Sequence, residues 1–151
     1  MTVKDKRTET RSALQVAVGL LSRREHSARD LKRKLEARGI EPEQVDAALS
    51  RLQDVGLQDE MRFAESLVRQ RIAAGYGPMY LRAELSTHRL SESLIERALE
   101  AAQADWRGIA ADLIARRFAE PPSDLKQRRR AQSLLMRRGF DAETIRSVLK
   151  S

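Results

Sequence analysis

Apolar residues recur along this chain three and four positions apart, the spacing that puts them on one side of a helix. Leu14, Ala17, Val18 and Leu21 predict a first helix from about Ala13, after a charged stretch at 1–11 read as a loose N-terminal segment. Ser27 is placed to cap a second helix in which Leu31 and Leu35 face inward and Arg29, Lys32 and Arg33 face away. Gly39 ends it. Glu41-Pro42 opens a third helix with Val45, Ala48, Leu49 and Leu52 on one face, closed by Gly56.

The same phrase then returns. Leu31, Leu35, Ile40, Val45 and Leu49 recur fifty positions later as Leu81, Leu85, Leu90, Ile95 and Leu99, and again as Ala131, Leu135, Phe140, Ile145 and Leu149. The turn position 39, 89, 139 holds Gly, Arg, Gly, and the cap position 41, 91, 141 holds Glu, Ser, Asp. An internal repeat of this kind specifies an all-α chain of three tandem three-helix repeats at 12–58, 59–103 and 104–151. If each copy touches only its neighbours, they stack into an elongated, curved rod. Pro121-Pro122 separates the first two helices of the third copy, with Ser123 and Asp124 as caps. The link AAQADWRG between the second and third copies has no clear breaker.

The central stretch 59–85 carries the least ordinary residues. Asp59 is placed to cap a helix on which Phe63, Ala64, Leu67, Val68 and Ile72 share one side. Arg71 falls within that apolar arc, so it runs along the core edge to a carboxylate such as Glu84, anchors a partner, or does both. Gly75 ends the helix and Gly77-Pro78 starts the next, leaving Tyr76 on the tip, where it either packs over the turn or projects without filling a core. On the latter reading, removing the Tyr76 ring leaves folding nearly intact, whereas a side chain at Gly75 does not.

Charge sharpens the picture. The formal charge is +7, and it is unevenly spread. Residues 23–38 hold seven Lys or Arg against three acids, and 126–140 hold six with no acid, while 61–105 balance six against six. On the helix from Lys126, the cations Lys126, Arg129, Arg130 and Arg137 lie within about a third of the circumference, away from Leu135. Such stripes are either solvated helix faces or contacts for acidic partners and nucleic acid. Aromatics are only 4%, which argues against stacking platforms for single strands. Cysteine is absent, and the first apolar run, ALQVAVGLL, is too short to span a bilayer, so a cytoplasmic protein with no membrane partner is expected. His26 and His88 have no ligand partner at helical spacing, and no phosphate-cradling loop or paired acids stand out. Neither an enzyme nor a cofactor or small-molecule substrate is indicated.

The phrase Asp59, Phe63-Ala64, Arg71, Gly75-Tyr76-Gly77-Pro78, Leu81, Glu84 and Leu85 resembles the RecX family of bacterial RecA regulators. LLSRREHSARDLKRKLEARGI and LLMRRGFDAETIRSVLK look like the family's first and last segments, so the likeness spans nearly the whole chain. The chain departs from the family pattern at Arg89-Leu90, where glycine usually precedes the apolar residue. The resemblance implies a non-enzymatic modulator that lies in the groove of the RecA–DNA filament. It would lower strand exchange, ATP hydrolysis and coprotease activity, within recombination, repair and the SOS response. Arg71, Tyr76, Arg29, Lys32, Arg33, Lys126, Arg129, Arg130 and Arg137 are then the candidate partner-binding residues. A monomer with weak, sequence-indifferent affinity for single- or double-stranded DNA is expected.

Two rivals remain. Each helix–Gly–helix could be a helix-turn-helix of a sequence-specific DNA-binding protein. Against this, the would-be recognition helix 42–55 carries Glu43, Asp46 and Asp54 against Arg51 alone, a poor match to a phosphate-lined groove. The other rival is a scaffold for some other acidic protein.

Overall fold

The computed structural model describes residues 6–150, and among these it holds nine helices and no strand. Helices α1 (Lys6–Leu21), α2 (Ala28–Ala37) and α3 (Pro42–Asp54) are followed by α4 (Glu60–Ala73), α5 (Pro78–Thr87) and α6 (Glu92–Ala101). Then come α7 (Trp106–Arg117), α8 (Leu125–Arg137) and α9 (Ala142–Leu149). The all-α reading with three helices per repeat holds.

Helix α1 departs from expectation at its start. Residues 6–11, read from sequence as loose, are helical; residues 1–5 lie outside the described residues. The segment has no Gly or Pro, Glu9 favours the positive helix end, and the Thr10 hydroxyl donates to the Gln44 side-chain oxygen on α3. Ala13 and Ala17 are the fully buried residues of this helix, while Val18 is 45% exposed. At 100° per residue Val18 falls outside the arc centred on those two alanines.

The caps follow side-chain chemistry. Ser27, Ser91, Asp124 and Asp141 each accept from the backbone N–H three residues on, whereas Glu41 makes no such bond and relies on Pro42 at the helix start. Asp59 does the same for Arg62 N at 2.8 Å. The three equivalent turns share one left-handed conformation, with φ of +86° at Gly39, +57° at Arg89 and +90° at Gly139. Arg89 thus keeps the turn without glycine, at a cost of about 1–2 kcal/mol. The link without a breaker uses the same device: Gln103 takes a φ of +45° after α6, and Asp105 caps α7 through Gly108 N.

The chain divides into two compact units, Met1–Ala64 and Glu65–Ser151. In the first, Ala13, Ala17, Leu31, Leu35, Val45, Ala48 and Leu52 form the core of α1–α3. In the second, α7–α9 enclose Ala110, Leu113, Ile114, Ala131, Leu134, Leu135, Phe140 and Ile145, with Trp106 packed against them. Leu81, Leu85, Ile95 and Leu99 are buried in α5 and α6. The fifty-residue repeat is therefore a repeat of core positions: 31, 81 and 131, like 35, 85 and 135, have no exposed surface. A buried leucine stabilises by about 1.5–3 kcal/mol relative to an exposed one.

Candidate partner-binding surfaces

The central corner is built around two glycines, one for its backbone angle and one for the space a side chain would fill. Gly75 has a φ of +87°, and Tyr76 N closes back on Arg71 O at 3.0 Å, ending α4. Gly77 then lies against the turn between α8 and α9. Its N–H donates to Arg138 O at 2.6 Å, and Met79 N donates to Gly139 O at 3.0 Å. A Cβ at Gly77 would stand 2.6 Å from Gly139 O, and one at Gly139 would collide with the backbone of Tyr80. Two glycines from different repeats thus let two turns meet backbone to backbone.

Side chains close the joint. Tyr76 and Tyr80 pack with ring centroids 4.3 Å apart, and the Arg138 guanidinium carbon sits 4.4 Å from the Tyr76 centroid. Arg138 also donates to Ala74 O at 2.6 Å. Tyr76 is half-buried here and packs over the turn, the first of its two readings from sequence. Arg71 takes the core-edge option: Nε lies 2.8 and 2.9 Å from the two Glu84 carboxylate oxygens, and Nη2 lies 2.6 Å from Oε1. These charge-assisted bonds hold the Arg71 guanidinium above its ordinary pKa.

The cations of α8 fall together on a groove of about 880 Å³. Lys126, Arg129, Arg130 and Arg137, which helical spacing puts on one face of α8, line it, and Arg117 from the end of α7 joins them. No carboxylate is among its lining side chains. Its apolar lining is Phe118, Leu134 and Leu125, the last 65% exposed at the start of α8. Sequence reasoning placed the four α8 cations but missed Arg117, Phe118 and Leu125. Arg117 ends α7 and Phe118 is its extended C-cap, three residues before Pro121-Pro122.

In the first unit, Arg29, Lys32 and Arg33 are all exposed on α2. Two of them meet acids: Arg33 with Asp30 at 3.2 Å and Lys32 with Asp46 at 3.5 Å. This stripe is therefore partly neutralised, unlike the α8 groove. The start of α2 is held by Glu60, which accepts from Ala28 N and Gln58 Nε2, both at 2.8 Å. His26 beside it is buried, with Nδ1 3.0 Å from Arg24 O and Nε2 3.1 Å from Lys34 Nζ. Only a neutral ring protonated on Nδ1 satisfies both contacts, since Lys34 can only donate. Burial accordingly lowers the His26 pKa, and the charges of Arg24 and Lys34 add to this.

Family models for the first, second and third three-helix domains of RecX match residues 13–52, 59–99 and 108–149 in turn. The chain belongs to the RecX family. Regulatory protein RecX of Xanthomonas axonopodis pv. citri is 51% identical over 146 residues, covering 96% of this chain and 90% of its own. That of Stenotrophomonas maltophilia strain K279a is 51% identical over 150 residues, covering 99% and 92%. The crystal structure of RecX from Lactobacillus salivarius shares the fold at a TM-score of 0.76 and 20% identity, over 95% of this chain and 96% of that one. A second crystal structure, of a regulatory protein RecX, has a TM-score of 0.77 at 23% identity, over 99% of this chain and 79% of its own. RecX membership thus agrees with the resemblance carried by the central corner. No helix among the described residues is long and apolar enough to cross a membrane.

Proposed function

We propose that this chain is a non-enzymatic regulator that binds the RecA–DNA filament and inhibits the recombinase, ATPase and coprotease activities of RecA. The observation that carries the reading is the run of three RecX domains, in order, along a chain 51% identical to proteins named Regulatory protein RecX. The α8 groove supports it as a surface for an acidic partner, with five cations and no lining acid. Arg29, Lys32 and Arg33 would add a weaker electrostatic contact, because two of the three already pair with acids. Arg71 and Tyr76 would serve the partner indirectly, by fixing the joint that carries the α8–α9 turn.

The test is co-sedimentation. The chain should pellet with RecA filaments assembled on single-stranded DNA, and far less with the same DNA alone. Equal pelleting with and without RecA would contradict the proposal. High-affinity retention on one short duplex sequence would favour a transcription factor instead. The exposed residues Glu43, Asp46 and Asp54 of α3 argue against that outcome.

A further inference from the structure

We propose that the α8 groove seats an acidic amphipathic segment of a partner protein, not a nucleic-acid backbone. This deepens the regulatory reading and rests on it, by naming the chemistry of the ligand that the third repeat holds.

The cations alone do not discriminate, since phosphates and carboxylates both satisfy them. The apolar lining does. Leu125 leaves 65% of its surface exposed in the same groove as the cations, which half-buried Phe118 and buried Leu134 also line. A phosphodiester backbone gains nothing from aliphatic surface, and a base needs a flat aromatic face that a half-buried Phe118 offers poorly. An amphipathic helix gains from both parts at once, with its apolar side chains on Leu125, Phe118 and Leu134 and its carboxylates on the cations. Apolar contact together with arginine is also how protein interfaces concentrate their binding energy. At 1.5 Å per residue, Lys126 and Arg137 stand about 16 Å apart along α8, room for roughly three helical turns of a ligand.

Fluorescence anisotropy with the purified chain and three labelled probes tests this. The probes are a Leu/Glu peptide with helical amphipathic spacing, the same peptide with Ser in place of Leu, and an oligothymidylate of equal charge. The Leu/Glu peptide should bind at least about tenfold more tightly than the Ser/Glu peptide, as one buried leucine side chain would give. Leu125→Ser should weaken the Leu/Glu peptide about five- to tenfold and leave the other two probes unchanged. Arg129→Gln with Arg130→Gln should weaken all three. Leu125 is exposed, so circular dichroism melts should show that Leu125→Ser folds like the parent. Equal affinity for the two peptides, or no effect of Leu125→Ser, would overturn the proposal. Tighter binding of oligothymidylate than of the Leu/Glu peptide would assign the groove to nucleic acid. RecA is absent from this assay, so its outcome is separate from that of the filament experiment.

Discussion

Arg138 lies over Tyr76, guanidinium carbon 4.4 Å from the ring centroid, and the same side chain donates to Ala74 O. One residue at the end of α8 therefore holds both the ring and the backbone of a turn sixty-odd positions earlier. Tyr76→Ala should destabilise the second unit by about 1–2 kcal/mol, the sum expected for losing a cation–π contact and an aromatic pair. Thermal melts of Tyr76→Ala, Arg138→Ala and the double variant would give the coupling, expected at about 0.5–1 kcal/mol. A Tyr76→Ala protein as stable as the parent would mean the ring is free to serve a partner directly.

The two turns make a sharper prediction. Gly39 and Gly139 are equivalent in the repeat, with φ of +86° and +90°, but a Cβ at Gly39 meets nothing within 4 Å. Gly39→Ala should therefore cost only the left-handed strain, about 1–2 kcal/mol. Gly139→Ala must also push the α5 backbone away at Tyr80, and should cost clearly more. Chemical denaturation of both variants reads the difference, and equal losses would show that the turns do not pack in this way.

Much of this was legible from sequence. The fifty-residue period marked the buried positions because each repeat fills its three-helix core from the same positions, with apolar side chains that differ in size, as at Leu31, Leu81 and Ala131. Capping residues marked helix starts because the bond is local, from a side chain to a backbone group three residues on. Contacts between repeats were not legible. That Gly77 meets Gly139, or that Arg138 reaches Tyr76, depends on how two repeats dock, and no local pattern encodes it. Gln103 was missed for a related reason: the chain must turn between α6 and α7, and glutamine carries no local preference for the left-handed conformation that does it.

Arg71 offers a test of geometry over charge. Its three short contacts to Glu84 depend on a planar fork, which lysine lacks. Arg71→Ala and Arg71→Lys should both lower the melting temperature, by about 2–4 °C for each kcal/mol lost in a chain of this size. Full rescue by lysine would reduce the pair to simple charge attraction.

The first unit should be sensitive to mild acid. Unfolded, the His26 imidazole titrates near 6.5. Folded, burial and the neighbouring Arg24 and Lys34 charges hold its pKa lower, outweighing the bond to Arg24 O and the charge of Asp30, which pull the other way. Its contribution is intact above about pH 6.5 and is lost as pH falls from there toward the folded value, because the unfolded chain binds the extra proton. The slope is at most about 1.4 kcal/mol per pH unit. His26→Gln should be less stable at neutral pH but flatter between about pH 5.5 and 7.5. Melting curves across that range check it, and parallel pH profiles for the two proteins would contradict the assignment.

The most direct measurement is a titration of the chain into preformed RecA filaments on single-stranded DNA, following ATP hydrolysis. Hydrolysis should fall at ratios well below one chain per RecA protomer. The Lys126→Gln, Arg129→Gln, Arg130→Gln, Arg137→Gln variant should need a much higher ratio for the same effect. Undiminished hydrolysis at stoichiometric chain, with RecA still bound to its DNA, would contradict the account.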